Sequence, residues 1–366
     1  MRFTLTLLAF AFLLCITSCN KYKGLEKDEI AETIVEDIVD DKQIVGAILS
    51  ISSPDFEWTG AHGNLNADDA YFIASTTKLF TTTVIYQLVD EGQLSLDDKL
   101  SKHLSANILD GLHVCNGDDH TDQITVKHLL SNTSGLPDYF EGKNDEGEVL
   151  SKELMKGNDD AWTFEEAIAR AKTMEAAFEP GKKGKALYSD TNFQLLGKII
   201  EELTGLSVAE AYQERIVTPL GLEHTYSYTD PEDDTPAPLR YKREQLDIPK
   251  AMTSFQADGS VVSTAEESMI FCKAFFNGEL FNAQHIEDAQ VWNKIFYPND
   301  YGVGMMRYEL PGFYGIPTFI GHSGLSGAFV WYCPEKELFV SGTVNQINKP
   351  GTSYRMLARV VTALDQ

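Results

Sequence analysis

The stretch FIASTTKLFT, Phe72–Thr81, sets Ser75 and Lys78 three residues apart, just ahead of a run in which Leu79, Val84, Ile85, Leu88 and Val89 share one helical face. On a helix that begins at Ser75, the lysine lies one turn on and on the same side, so its amine reaches the serine hydroxyl. The helix dipole favours negative charge developing at that end. A serine in this place also serves as a plain N-cap. A lysine near its ordinary pKa of about 10.4 is a poor base at neutral pH, so a catalytic pair here needs that value lowered by burial or by a nearby cation.

Upstream of this stretch and after an acidic helical lead-in, IVGAILSISS (44–53) and FEWTGAHG (56–63) read as two strands turned at Pro54-Asp55. The far end mirrors them: GAFVWYCP (327–334) and ELFVSGTVN (337–345) are strands turned at Pro334-Glu335-Lys336, followed by a helix from about Thr352 to Leu364. Between the two ends lie helix signals. Thr163-x-x-Glu166, Ser207-x-x-Glu210 and Ser263-x-x-Glu266 are capping-box patterns, and Leu196, Ile199, Ile200 and Leu203 recur at helical spacing before Gly205. CNGDDHTD (115–122), EGKNDEGE (141–148) and TDPEDDTPAP (229–238) read as solvated loops. The expected fold is α/β (α+β): an antiparallel sheet built from both termini and flanked by helices, in a body spanning 44–366 with a mostly helical insertion over about 93–250.

The chain has 366 residues, 43% of them hydrophobic, which suffices for a large core, and a formal charge of -25. Nucleic acid and a polybasic grip on anionic lipid are thereby disfavoured, and a small-molecule or peptide partner is expected. The N-terminal MRFTLTLLAFAFLLCITSC has one arginine and an apolar run from Phe3 to Ile16, shorter than the roughly 20 residues a bilayer span needs, and reads as a signal peptide over 1–18. Its end, Ile16-Thr17-Ser18-Cys19, resembles the bacterial lipobox. That resemblance implies acylation of Cys19, a tether and lead-in helix over 19–43, and a lipoprotein on the periplasmic side of the cell envelope, touching the membrane only through its lipid. The remaining Cys115, Cys272 and Cys333 are too few and too scattered for a disulfide framework or a zinc site, and are expected as buried thiols.

Two further motifs join the first. ALYSDTNFQLLGKII (186–200) places Tyr188 before the periodic helix, and GHSGLSG (321–327) places His322-Ser323-Gly324 at the edge of the C-terminal strand pair. The order S-x-x-K, then Y-x-N, then K-T-G or H-x-G resembles the three-part site of the penicillin-recognising serine hydrolases. The tyrosine form resembles the class C β-lactamases, D-alanyl-D-alanine carboxypeptidases, D-aminopeptidases and β-lactamase-like esterases. Further stretches are similar to that family from about Ile44 to Asn345, among them EGQLSLDDKLSKHL, ITVKHLLSNTSGLPDY, IVTPLGLEHT and GSVVSTAEESMIF. The resemblance implies a site at the junction of the sheet domain and the helical insertion. It makes Ser75 the nucleophile, has Lys78 and Tyr188 share base and acid work, lets His322 polarise the pocket from the edge strand beside Gly324, and makes the N–H groups of Ser75 and Leu325 the oxyanion donors. It implies no metal or organic cofactor. His62, His128 and His224 lack such company and read as structural.

Two positions depart from the pattern. Asp190 stands where the second motif has asparagine; an ionised carboxylate only accepts, so it should hold Lys78 protonated and disfavour the acylamide carbonyl of a penicillin. His322 replaces a lysine, exchanging a fixed charge for a group expected to titrate near its usual value of about 6.5. The function expected is that of a serine hydrolase acting through an acyl-enzyme on an ester or a D-amino-acid-containing amide, the peptide stem of peptidoglycan included. The alternative is a catalytically idle binding protein of the same fold. Retention of Ser75, Lys78 and Tyr188 together favours the enzyme, and the chain contains no G-x-S-x-G elbow of an α/β-hydrolase lipase.

Overall fold

The computed structural model of the chain describes residues 21–39, 43–349 and 351–364; the leader segment and Cys19 lie outside the described residues. Helix α1 (Lys27–Val39) leads into strands β1 (Gly46–Ser53) and β2 (Phe56–Gly63). A short pair, β3 (Tyr71–Phe72) and β4 (Val261–Ser263), precedes the C-terminal strands β5 (Asn293–Phe296), β6 (Asn299–Tyr301), β7 (Met306–Tyr308), β8 (Phe319–Ser323), β9 (Ala328–Cys333) and β10 (Leu338–Thr343). One antiparallel sheet of eight strands runs β5-β6-β7-β8-β9-β10-β1-β2. It closes where the two ends of the chain meet, with Ser50 opposite Ser341 and Ile51 opposite Val340. Seven consecutive residues of β1 are buried, so both faces of the sheet are covered there.

The helices that matter for the site are α2 (Thr77–Asp90), α3 (Asp190–Thr204), α4 (Ala265–Phe276) and α5 (Gly351–Leu364). Helix α4 is tied to the sheet where the Ser341 hydroxyl donates to the Ala265 carbonyl at 2.6 Å. Helix α3 ends at Gly205, whose φ of 70° supplies the left-handed cap. Helix α2 was expected to bury one apolar stripe, yet it is buried almost all round. Leu79, Val84, Ile85 and Leu88 are fully enclosed, each such side chain contributing about 1.5–3 kcal/mol. The three threonines between them are enclosed too. Thr82 and Thr83 return their hydroxyls to the carbonyls of Lys78 and Leu79, both at 2.8 Å, and Thr82 also reaches the Gly304 carbonyl at 3.0 Å.

Two local expectations need correction. The cap of α4 is Thr264, which accepts from the Glu267 N–H at 3.1 Å, rather than Ser263 with Glu266. Pairing of β4 with β3 holds Ser263 extended opposite Tyr71, and its hydroxyl lies 2.8 Å from that of Thr225. The segment 115–122 is not wholly loop. Val114–Cys115 and Asp118–Asp119 form a hairpin through Asn116 and Gly117, both at positive φ, the primed turn that an Asn-Gly pair favours. Strands β5, β6 and β7 escaped the sequence reading because each is only three or four residues long, too short for alternation to register.

Among the described residues no helix is long and apolar enough to cross a membrane. The three described cysteines are free and buried, as expected. Thr81 is the polar pin of α2, with its hydroxyl 2.6 Å from that of Tyr212 and 2.5 Å from the Ala257 carbonyl. Thr81→Val keeps the shape but strands both partners, so the urea midpoint should fall by an amount equivalent to about 1–3 kcal/mol with the m-value unchanged. An unchanged midpoint would show that the pin carries no stability.

Candidate active site

The first motif sits on a strained turn. Ala74–Thr76 form one turn of 3₁₀ helix before α2, and Ala74 takes a φ of 47°, unusual for a residue with a side chain. The surroundings force it. The Ile73 N–H donates to the Val261 carbonyl at 2.9 Å, the Ser326 hydroxyl donates to the Phe72 carbonyl at 2.7 Å, and the Val261 N–H donates to the Thr77 hydroxyl at 3.1 Å. Gly324 crosses so closely that a Cβ there would stand 2.4 Å from the Ile73 carbonyl oxygen. That crossing carries the Gly324-Leu325 turn past the residue that precedes Ser75.

The second motif is held from beneath by a buried polar lattice. Asn132 accepts through Oδ1 from the Ser189 N–H at 3.0 Å and from the Asn192 amide at 2.8 Å. The hydroxyls of Ser189 and Thr191 both donate to the Pro137 carbonyl, at 3.1 and 2.7 Å. Asp190 opens α3 on this platform, with Tyr188 two residues ahead of it.

Lys78 ties the motifs together. Its side chain is fully buried and its Nζ lies 2.7 Å from Asp190 Oδ1. It donates to the Asp258 carbonyl at 2.7 Å and to Ser75 Oγ at 3.2 Å. Burial works against its charge, but Asp190 and Asp258 outweigh burial and hold its pKa above the usual lysine value. The requirement that the site lower this pKa is therefore not met, and the resting group is an ammonium. Tyr188 is partly exposed, but its hydroxyl is enclosed and forms no well-aligned hydrogen bond. Burial, reinforced by Asp190, raises that hydroxyl well above its ordinary pKa, so it is a phenol and a proton donor.

His322 is a correction. Strand β8 lies between β7 and β9, not at an edge. The His322 side chain is fully buried, with Nε2 3.2 Å from the Tyr301 hydroxyl and Nδ1 2.9 Å from the Ser323 carbonyl. Burial first, then the Lys78 charge, push its pKa down to about 3. It does not reach the pocket as a group titrating near neutrality; it stands behind Tyr188, with ring centroids 6.2 Å apart. Gly324 and Leu325 do line the pocket.

The pocket is a cavity of about 290 Å³. Ser75, Tyr188 and Asp190 stand at one part of it, and Phe72, Leu154, Leu246, Met252, Phe255 and Leu325 supply much of its apolar wall. Two aspartates in it escaped the sequence reading. Asp258 Oδ2 accepts from the Tyr139 hydroxyl and from the Gln194 amide, both at 3.0 Å. Asp138 Oδ1 accepts from the Phe140 and Glu141 N–H groups at 2.9 and 3.3 Å. Each is a single acid in a loop, and Asp258 meets Lys78 across 180 residues, a pairing no local pattern signals. Among the described residues no cluster of histidine, cysteine, aspartate and glutamate could hold a metal ion.

An eight-stranded sheet drawn from both ends of the chain, with a Ser-x-x-Lys at the head of a central helix whose serine is half-buried and whose lysine is fully buried, defines the β-lactamase and transpeptidase fold. The chain belongs to the Beta-lactamase family, whose model matches residues 31–363. It is 27% identical over 255 residues to the putative penicillin-binding protein PbpX of Bacillus subtilis (strain 168), which covers 67% of this chain and 55% of that protein. The chain thus spans about half the length of the curated relatives it matches. Among solved structures it is similar to the D-stereospecific amidohydrolase of a Streptomyces species, at 26% identity and a TM-score of 0.76, covering 90% of this chain and 96% of that one. It is similar also to the octameric penicillin-binding protein homologue of Pyrococcus abyssi, at 27% identity and a TM-score of 0.71, covering 91% and 76%.

A buried histidine that stays neutral leaves a signature in pH dependence. In the range between about 3 and the ordinary value of 6.5, unfolded chains bind the His322 proton and folded ones do not, so its contribution to stability falls as the pH falls. The kcat/KM profile should therefore show no inflection from His322 near neutrality, and His322→Gln should keep the same limbs. A limb near pH 6–7 that vanishes in the variant would restore His322 as a titrating group of the site.

Proposed function

We propose that the protein is a serine hydrolase that works through an acyl-enzyme on Ser75 and cleaves an ester or a D-amino-acid-containing amide, peptides of the peptidoglycan stem among them. The observation that carries this reading is the Lys78 ammonium, 3.2 Å from Ser75 Oγ and 2.7 Å from Asp190, beside an apolar cavity. A serine used only as a helix cap has no use for such a partner. The amide arm is supported by the likeness to the Streptomyces amidohydrolase.

In this reading Lys78 takes the Ser75 proton as it hands one of its own across the short contact to Asp190, so the pair, rather than a neutral lysine, is the base. Ser75 Oγ attacks the carbonyl carbon, and the oxyanion is held by the Ser75 and Leu325 N–H groups. Collapse expels the alcohol or amine, which takes the Tyr188 hydroxyl proton; the phenolate is reprotonated from the Lys78–Asp190 pair. Water then cleaves the acyl-Ser75 ester by the same route. No step uses a metal or a cofactor.

Ser75→Ala should abolish turnover and fluorophosphonate labelling while leaving the thermal midpoint within a few degrees, since the Ser75 side chain caps no helix and Lys78 keeps its Asp190 and Asp258 partners. Asp190→Asn should slow acylation by about a hundredfold, because the terminal proton acceptor is gone. Mass spectrometry of the labelled parent decides the case: a label anywhere but Ser75, or full turnover in the alanine variant, sinks the reading.

The Ile-Thr-Ser-Cys end of the leader supports a second proposal, that Cys19 is acylated and holds the enzyme on the periplasmic side of a bacterial envelope. The parent expressed in a bacterium should partition into detergent and the Cys19→Ala form into the aqueous phase. Equal partitioning of the two would refute it.

A further inference from the structure

Three buried carboxyls crowd one ammonium beside the cavity. Asp138, Asp190 and Asp258 are 8%, 7% and 1% exposed, and all three line it. Among the described residues no lysine, arginine or histidine lines the cavity, so the enclosed Lys78 is the cation that answers them, and its ammonium is committed to Asp190 at 2.7 Å. One ammonium neutralises one carboxylate. Keeping the other two ionised out of water is steeply unfavourable, so they hold their protons. Burial first, then the Asp190 charge, raise both, Asp258 well above the usual carboxylate range and Asp138 to about 8.

The two protonated acids differ in what they reach. Asp258 takes the Tyr139 hydroxyl and the Gln194 amide on Oδ2, and its Oδ1 is sealed away without a partner. Asp138 takes the Phe140 and Glu141 N–H groups on Oδ1, at 2.9 and 3.3 Å, which leaves Oδ2 to carry the proton and to face the cavity. The loop fixes where that oxygen stands. The Pro137 carbonyl accepts from the Ser189 and Thr191 hydroxyls at 3.1 and 2.7 Å, and the Tyr139 N–H donates to the Thr191 hydroxyl at 3.0 Å. Both neighbours of Asp138 are thus pinned to the two neighbours of Asp190, and the acids stand side by side in the wall that Ser75 shares. The titratable groups around Asp138 are Asp190 and Tyr188 from the second motif, Lys78 from α2, Asp258 from the loop before β4, and Tyr139 from its own loop. Glu141 is solvent-exposed with Lys152 beside it, and takes no part.

We propose that Asp138, held as the neutral acid, is a specificity-determining residue whose Oδ2–H donates to a carbonyl oxygen on the acyl part of the substrate, such as the acyl carbonyl of an N-acylated amino acid. The proposal rests on the reading of Ser75 as the acylated nucleophile. Asp138 returns to the site the donor that an asparagine in the second motif supplies and that Asp190, spent on Lys78, does not. Substrate choice is thereby tied to pH. Below about 8 the donor is present; above it Asp138 is an acceptor-only carboxylate that repels the same carbonyl.

The test follows two esters on the parent enzyme from about pH 6 to about 9.5: N-acetylphenylalanine methyl ester as each enantiomer, and methyl 3-phenylpropionate, which lacks the acceptor. Groups that serve both substrates, Ser75, Lys78 and Tyr188 among them, cancel in the ratio of the two kcat/KM values. For the better enantiomer the ratio should stand at about tenfold or more at the acid end and fall towards one through a single ionisation near 8; this arm needs no variant to fold. Asp138→Asn keeps an oxygen for the two N–H groups and turns an amide donor to the cavity, so its ratio should stay high and flat over the whole range. Asp138→Ala should bring the ratio to about one at every pH. A parent ratio that does not change with pH, or an Asp138→Asn form that loses the preference or shows the same alkaline fall, overturns the donor and leaves the serine hydrolase standing. Competitive inhibition by 2-phenylethylamine that Asp138→Asn abolishes shows an ionised Asp138 holding a cation, and overturns it likewise. Failure of the parent to cleave either ester, with Ser75 unlabelled by the fluorophosphonate, overturns both readings.

Discussion

The contact between the Lys78 ammonium and the Asp190 carboxylate, 2.7 Å long and sealed from solvent on the lysine side, is the interaction on which the rest of the site depends. An ammonium taken out of water without a partner costs several kcal/mol, and removing one member of a buried pair strands the other. The chain meets that demand with Asp190, with the Asp258 carbonyl and with Ser75 Oγ, three acceptors drawn from three distant segments. The carboxylate that makes burial tolerable also holds the lysine protonated. The site thus holds a charged pair in place of a free amine.

Placing those acceptors requires rigid supports, and the fold supplies them from opposite ends of the sequence. The Ala74 turn is strained, and the strands on either side hold it: β4 through Ile73 and Thr77, and the turn after β8 through Ser326. Gly324 is required there because a larger residue would push the Ile73 carbonyl away. The Asn132 lattice does the same for Asp190, fixing the first turn of α3 by bonds to Ser189 and Asn192 rather than by capping from within the helix.

Much of this was legible in the amino-acid sequence, for identifiable reasons. Strands β1, β2, β9 and β10 are six to eight residues long with clear turns between them, so they announce themselves, and pairing the two ends follows from their hydrophobicity. The Ser75, Lys78 and Tyr188 trio was visible as spacing and order. Electrostatic state was not. His322 was read as a titrating group because its burial, and the Tyr301 hydroxyl against its ring, are set by packing against β6 and β7, strands the sequence barely signals. Lys78 was expected to need a depressed pKa, and the second carboxylate that helps raise it, Asp258, sits in an unmarked loop. The Asn-Gly pair at 116–117 is the local signal of its hairpin.

Charge balance links the two departures from the family pattern. With lysine in the third motif and asparagine in the second, the cavity would carry a fixed cation and one acid fewer, a field suited to a substrate carboxylate. Here the third-motif residue is a buried neutral histidine and the second-motif residue a carboxylate, and both changes move the cavity in the same negative direction. Neither alone would set the sign: Asp190 is spent on Lys78, and a neutral histidine merely withholds a charge. Together with Asp138, Glu141 and Asp258 they leave an apolar chamber whose polar surface is acceptor-rich. The Ser-x-x-Lys arrangement is thus that of the family, while the field around it is set by the carboxylates that this chain has gathered around one lysine.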